Sequence, residues 1–341
     1  MWSFVKRHRN KFVAFGVVGA ASAGGLYLLN KYVENKVAEQ RVKETQQMLE
    51  QMKHQHHFES TKRIAEKTLS QALNPALKEK IDEILNTESV FQQLSKDSAN
   101  LELWQQFKVL TFGKSVCWVI CGTLVNFLLK IQLSILNGYI YQSLGPKQNN
   151  NKLNLTPKIQ EKFLSFCKLF IERQIGQWTL DHLLPSITAH FDHLELNKKI
   201  TMAQIQDLYS KMQRSLVFDT KKIGEFLVNV NGFDWKVLDE AESATLKVLI
   251  ADTLDILETP DFSIALTNSV NTGFNFLQDQ IVENFQTKDL LDQILLINML
   301  PKIDKVLKND TLLLEKIQNT DQSNSLMANV FETFCIPINL K

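Results

Sequence analysis

At 341 residues the chain has the length of one large domain or two ordinary ones, and 44% hydrophobic residues are enough for a substantial core. Lysine and arginine (38) balance aspartate and glutamate (37), which excludes a global field that recruits nucleic acid or an anionic surface. Glycine is sparse (12), the 7 prolines sit mostly at expected helix boundaries, and no hairpin dipeptide separates alternating runs, so the pattern predicts an all-α chain of long helices.

Residues 1–11 carry Lys6, Arg7, Arg9 and Lys11 with no acid. No charge follows from Phe12 to Asn30. Roughly 19 residues at about 1.5 Å each reach about 28 Å, close to the thickness of a hydrocarbon core. The stretch 12–30 therefore predicts a transmembrane anchor. Gly16, Ala20 and Gly24 recur every fourth residue, a spacing that lets helices approach closely in lipid, and Tyr27 suits the interface. A secretory signal cleaved after Ala21-Ser22-Ala23 is the competing reading. The unbroken helical pattern that follows and the absence of an evident disulfide framework argue against it. Basic residues flank the segment on both sides, so charge alone leaves its orientation open. Residues 31–70 form a polar, Glu/Gln/Lys-rich helix without strong heptads; 31–56 read as a stalk, and 57–341 as the domain it carries. His54, His56 and His57 lack the spacing and partners of a zinc site and read as a solvated cluster.

Asn74-Pro75 opens an expected helix to about Leu94, with Leu77, Ile81, Ile84 and Leu85 inward. After a polar turn at 95–100 comes 101–143, apolar on more than one face. A helix apolar nearly all round lies inside a bilayer or inside a large helical domain. Its uncharged core, from Ser115 to Leu129, falls short of the roughly 20 residues a span needs, and Lys114, Asn126 and Lys130 interrupt its limits. The stretch is therefore expected to be the central helix of a bundle. Leu103, Phe107 and Leu110 follow one face of it, while Trp104, Lys108 and Thr111 form a second, mixed face. Further on, 143–157 is a breaker-rich loop, and 158–184 resumes the helical period until Pro185 ends it. Thr201 with Gln204 matches a capping box for a helix to about Phe218. Residues 219–236 read as loop. Leu238–Leu257, Pro260–Phe285 and Thr287–Lys308 are amphipathic helices, with Thr259 and Thr287 as caps, and a short helix from about Ser323 to Phe334 ends the fold.

Catalytic motifs are missing: no glycine-rich phosphate loop, nucleophile elbow or paired zinc histidines. Cys117 and Cys121 are one helical turn apart with no second pair at ligand spacing, so all four cysteines (with Cys167 and Cys335) are expected to be free thiols. His182, His190 and His193 beside Asp181, Asp192 and Glu195, and the Asp252/Asp255 pair, read as charged surface. The expected chain is no enzyme and holds no cofactor or metal. Its expected use is to present a surface, and the best candidate is the Trp104/Phe107 face with Leu94 just before it, where an apolar groove would take an amphipathic helix. From pattern alone, Trp104 in the core is an equal alternative.

Three blocks then carry a family resemblance: HFES at 57–60, LELWQQFK at 101–108 running on to KIQLSILNGYIY at 130–141, and LETPDFSIALTNSVNTGF at 257–274. With the basic start KRHRNK before an apolar segment, the chain resembles the peroxin-3 family. The resemblance implies a single-pass protein of the peroxisomal membrane, its basic N-terminus on the matrix side and its helical domain in the cytosol. It also implies that an N-terminal amphipathic helix of peroxin-19 docks there, delivering new membrane proteins for insertion. By position, Leu94, Trp104, Phe107 and Lys108 match groove residues, and Gly138 matches a glycine where a larger side chain would disturb packing. Asn137 stands where relatives have a second glycine. Residues 186–240 match poorly and inherit nothing specific. A membrane-anchored tether or scaffold, binding through a charged face, is the alternative function.

Overall fold

The computed structural model describes residues 23–144, 153–215, 220–231, 233–285, 293–308 and 311–335. The chain divides into two compact units, Met1–His56 and His57–Lys341. No glycine or proline occurs from Leu26 to Asn74, and helix α1 runs without a break over Ala23–Thr68. Gly24 stands in its first turn; Gly16 and Ala20, with most of the expected anchor, lie outside the described residues. In the first unit α1 exposes Val42, Met48, Leu49 and Met52.

Among the described residues the second unit is all-α apart from one two-residue ladder, Lys199–Ile200 (β1) against Ile294–Leu295 (β2), antiparallel. After α1 come α2 (Asn74–Ile84), α3 (Thr87–Lys96) and α4 (Leu101–Leu144). The expected single helix over 74–94 is two: the backbone breaks at Leu85, and the Asn86 side chain accepts from Ser89 N–H at 2.8 Å to start α3. At 44 residues, α4 is about 66 Å long. Among the described residues it is the one helix long and apolar enough to cross a membrane, yet its apolar window is wholly buried in protein. Every residue from Thr111 to Leu136 is buried. Several polar members of that run are braced by another element. Lys114 pairs with Asp82 at 2.6 Å, Gln132 donates to Phe163 O at 2.7 Å, and Asn126 donates to Ser323 Oγ at 2.9 Å.

Helices α5 (Pro157–Leu169), α6 (Ile175–Trp178) and α7 (Leu184–Phe191) form one helical path joined by π turns at Phe170–Gln174 and Thr179–Leu183. Pro185 was expected to end this element and does not. A proline ring collides with the carbonyl four residues back and lacks an N–H to bond it. Here Leu184 N–H bonds five residues back to Thr179 O, a wider turn that relieves the collision. Pro75 is accommodated the same way, with Asn74 N–H bonded to Leu69 O in the π turn Leu69–Leu73.

Then follow α8 (Met202–Ser215), α9 (Thr220–Leu227), α10 (Glu240–Leu257), α11 (Pro260–Phe285), α12 (Leu296–Lys308), α13 (Thr311–Gln318) and α14 (Asp321–Cys335). The Thr201/Gln204 box is present in both directions, at 2.9 and 3.2 Å. Thr259 caps α11 and Asp239 caps α10. Helix α9 corrects the reading of 219–236 as loop: Gly224 lowers its propensity, but the residue is buried, and a Cβ placed there would come within 3.4 Å of Leu254 and 3.8 Å of Leu257 of α10. The expected cap Thr287 and the middle of the 143–157 loop lie outside the described residues. Helices α3, α11, α13 and α14 pack on α4, α14 most extensively.

A candidate docking surface at the start of the central helix

Asn100 opens α4 by accepting Leu103 N–H at 3.1 Å, and the turn before it folds back so that Trp104 Nε1–H donates to Ser98 O at 3.0 Å. That bond fixes the indole, whose edge meets Phe107 at 6.0 Å between centroids. From α3, Phe91 reaches the same Phe107 at 5.6 Å. Phe107 is fully buried, whereas Phe91 is 36% and Leu101 64% exposed, and Trp104 is half-buried. A buried phenylalanine thus carries two aromatic neighbours at the surface, with Leu101 one turn before Trp104. Large apolar side chains grouped in this way mark interaction sites.

The four expected groove residues are brought together only in part. Trp104 is at the surface. Leu94 (3%) and Phe107 (0%) lie in the core beneath it. Lys108, expected at the rim, is 0% exposed and turns inward, donating to Leu194 O at 2.8 Å and Asp192 O at 3.4 Å. Burial lowers its pKa from the usual lysine value, and Asp192 opposes that shift. Phe91 and Leu101, which the helical pattern does not single out, each lie three residues before an expected groove residue, Leu94 and Trp104. The two supposed faces of 103–111 also merge: Phe107, Lys108 and Thr111 are all buried, because other elements cover α4 from its second turn on.

At the far end of α4, Gly138 meets α14. A Cβ placed there would lie 2.6 Å from Phe334 Cβ and 3.1 Å from its carbonyl carbon. Asn137 is helical, its amide donating to Leu133 O at 3.0 Å. The Asp252/Asp255 pair is not simply an exposed face: Asp252 is half-buried and accepts from Tyr139 Oη at 2.8 Å, and burial raises its pKa. The four cysteines are free, with Cys117 Sγ 3.7 Å from Cys121 Sγ, and burial pushes Cys167 well above the ordinary thiol range. Among the described residues no group of three or more His, Cys, Asp or Glu is placed to hold a metal ion.

Comparison with known proteins bears on what such a surface serves. Residues 3–101 match the model of the family described as Peroxin-3. The chain is 30% identical to peroxisomal biogenesis factor 3 of Mus musculus over 306 residues, covering 84% of this chain and 79% of that one. The Homo sapiens protein of the same name is 29% identical over 311 residues, with the same coverage. Peroxisome biogenesis protein 3-1 of Arabidopsis thaliana is 23% identical over 328 residues, covering 89% of this chain and 88% of that one. With a helical fold built on one long buried helix and this extent of similarity, the chain belongs to the peroxin-3 family of peroxisome biogenesis factors.

Proposed function

We propose that the chain is a docking receptor anchored in the peroxisomal membrane through residues 12–30, with its helical unit in the cytosol. Its partner is peroxin-19, whose N-terminal amphipathic helix lies on Phe91, Leu101 and Trp104, and the docking supports insertion of peroxisomal membrane proteins. The observation that carries this reading is the pair of exposed apolar side chains beside a half-buried tryptophan, all mounted on α3 and α4 around buried Phe107. Rigid helices hold such anchors in place before binding, which limits the ordering cost. A tryptophan at the centre of an apolar patch is the usual dominant contact of a helix-in-groove interface. The names of the relatives, all peroxisome biogenesis proteins, agree with the setting.

The test is titration of residues 45–341 with a peptide of the peroxin-19 N-terminus at two salt concentrations, beside Trp104→Ala. Burying the indole is worth about 2 kcal/mol, so the variant should bind roughly thirtyfold more weakly. Binding by the unaltered domain should change little with salt, because the contact is apolar. The variant should retain the helicity of the parent. Undiminished binding by Trp104→Ala, or no binding by the folded parent, would overturn the proposal.

A further inference from the structure

Lys108 is the charged member of the expected contact residues, yet the structure turns it away from solvent, and its surroundings suggest a different task. Helix α7 ends at Phe191, and the last carbonyls of a helix have no partner within it. Beyond the end, Asp192 N–H closes on Thr188 O at 2.8 Å and Leu194 N–H on Phe191 O at 3.1 Å, leaving the Asp192 and Leu194 carbonyls to the Lys108 ammonium. A cation suits this position, since a helix C-terminus carries partial negative charge. Phe191 stacks on Phe112 of α4 at 4.1 Å, so the same junction is also packed. The segment that follows is fastened again farther on. Leu296 N–H donates to Lys198 O and Ile297 N–H to Leu196 O, each at 3.1 Å, and β1 pairs with β2.

Between these fastenings runs a stretch without helix, 192–198, which buries Leu194 and Leu196 and exposes Asp192, His193, Glu195, Asn197 and Lys198. Lys108 lies four residues after Trp104, on the same side of α4 and one turn on. A helix lying on Trp104 and continuing along α4 therefore meets this polar edge.

We infer that Lys108 is a positioning residue, whose two hydrogen bonds hold segment 192–198 as a fixed polar wall beside the Trp104 patch. The inference rests on the docking reading above. With the tie removed, the wall samples open positions, and apparent affinity falls with the fraction of molecules in which it is in place.

The test uses the full chain in phospholipid nanodiscs and the same peroxin-19 peptide, comparing wild type, Lys108→Met and Trp104→Ala. In Lys108→Met, backbone amides of 192–198 should exchange faster in the free protein and slow again when peptide binds. The Kd should rise roughly tenfold, a tenfold fall in the competent fraction, and its salt dependence should match that of wild type. Glu195→Gly loosens the same segment with Lys108 intact and should weaken the peptide in the same direction, which keeps the test open if Lys108→Met fails to fold. Unchanged exchange with an altered salt dependence would make Lys108 a direct ionic contact. Faster exchange with an unchanged Kd, in either variant, would make the tie irrelevant to docking. Both results overturn the inference while leaving the Trp104 result intact; wild-type binding by Trp104→Ala would instead sink the docking reading on which it stands.

Discussion

Lys108, Lys114 and Lys130 show how charged residues are tolerated along a buried helix. Each ammonium is matched to acceptors from a different element: carbonyls beyond α7, the Asp82 carboxylate, and the junction of α13 and α14. Lys130 spends all its donors there, on Gln318 O at 2.6 Å, Ser323 Oγ at 2.9 Å and Asn324 Oδ1 at 2.8 Å. Burial still lowers its pKa to about 8, partly offset by Glu66 and reinforced by Lys62. The sign follows from which state holds the proton. Between about 8 and the ordinary lysine value the unfolded chain is protonated and the folded chain is not, so the folded state gains stability as pH rises through that window. The gain is on the order of 3 kcal/mol. Unfolding wild type and Lys130→Met at pH 7.5 and 9.5 should show wild type improving relative to the variant; parallel behaviour would mean that Lys130 titrates normally. Lys114 and Lys130 were legible in the sequence as a reason to reject a membrane span, but their acceptors were not. The Lys130 partners lie some 190 positions away.

Between elements, close approach is set by small residues. Gly138 lets α14 lie directly on the backbone of α4, with Phe331 O and Phe334 against the missing side chain. A methyl group there must push the helices apart, and overpacking of this kind costs about 1–3 kcal/mol. Gly138→Ala should therefore lower the midpoint of chemical unfolding; an unchanged midpoint would show that α14 shifts freely. The prolines make a complementary point. Pro260 and Pro157 begin helices as their position allows, whereas Pro75 and Pro185 sit inside continuous helical paths. Whether a proline ends a helix or is absorbed by a π turn depends on whether packing on both sides holds the path together, and no local pattern contains that information.

For the molecule as a whole, two units with different solvents are the proposed arrangement: an apolar N-terminal segment for the bilayer and a domain with its own core. Removing residues 1–30 should release the protein from membranes into the soluble fraction while its melting transition persists. Continued retention in the membrane pellet after alkaline extraction would assign attachment to the domain instead.

By itself the sequence determined the all-α class, the extent of α4 as an internal helix, the Pro260–Phe285 helix, the Thr201/Gln204 cap and the family. Each of these is written in local spacing, in composition, or in blocks of residues read directly. Only the tertiary structure decided that Leu94, Phe107 and Lys108 lie inward while Phe91 and Leu101 lie outward. Helical period assigns a residue to a face, but which face is covered depends on elements far away in the chain. Here the turn at 97–100 folds α3 back beside the start of α4, and segment 192–198 closes over the side that carries Lys108.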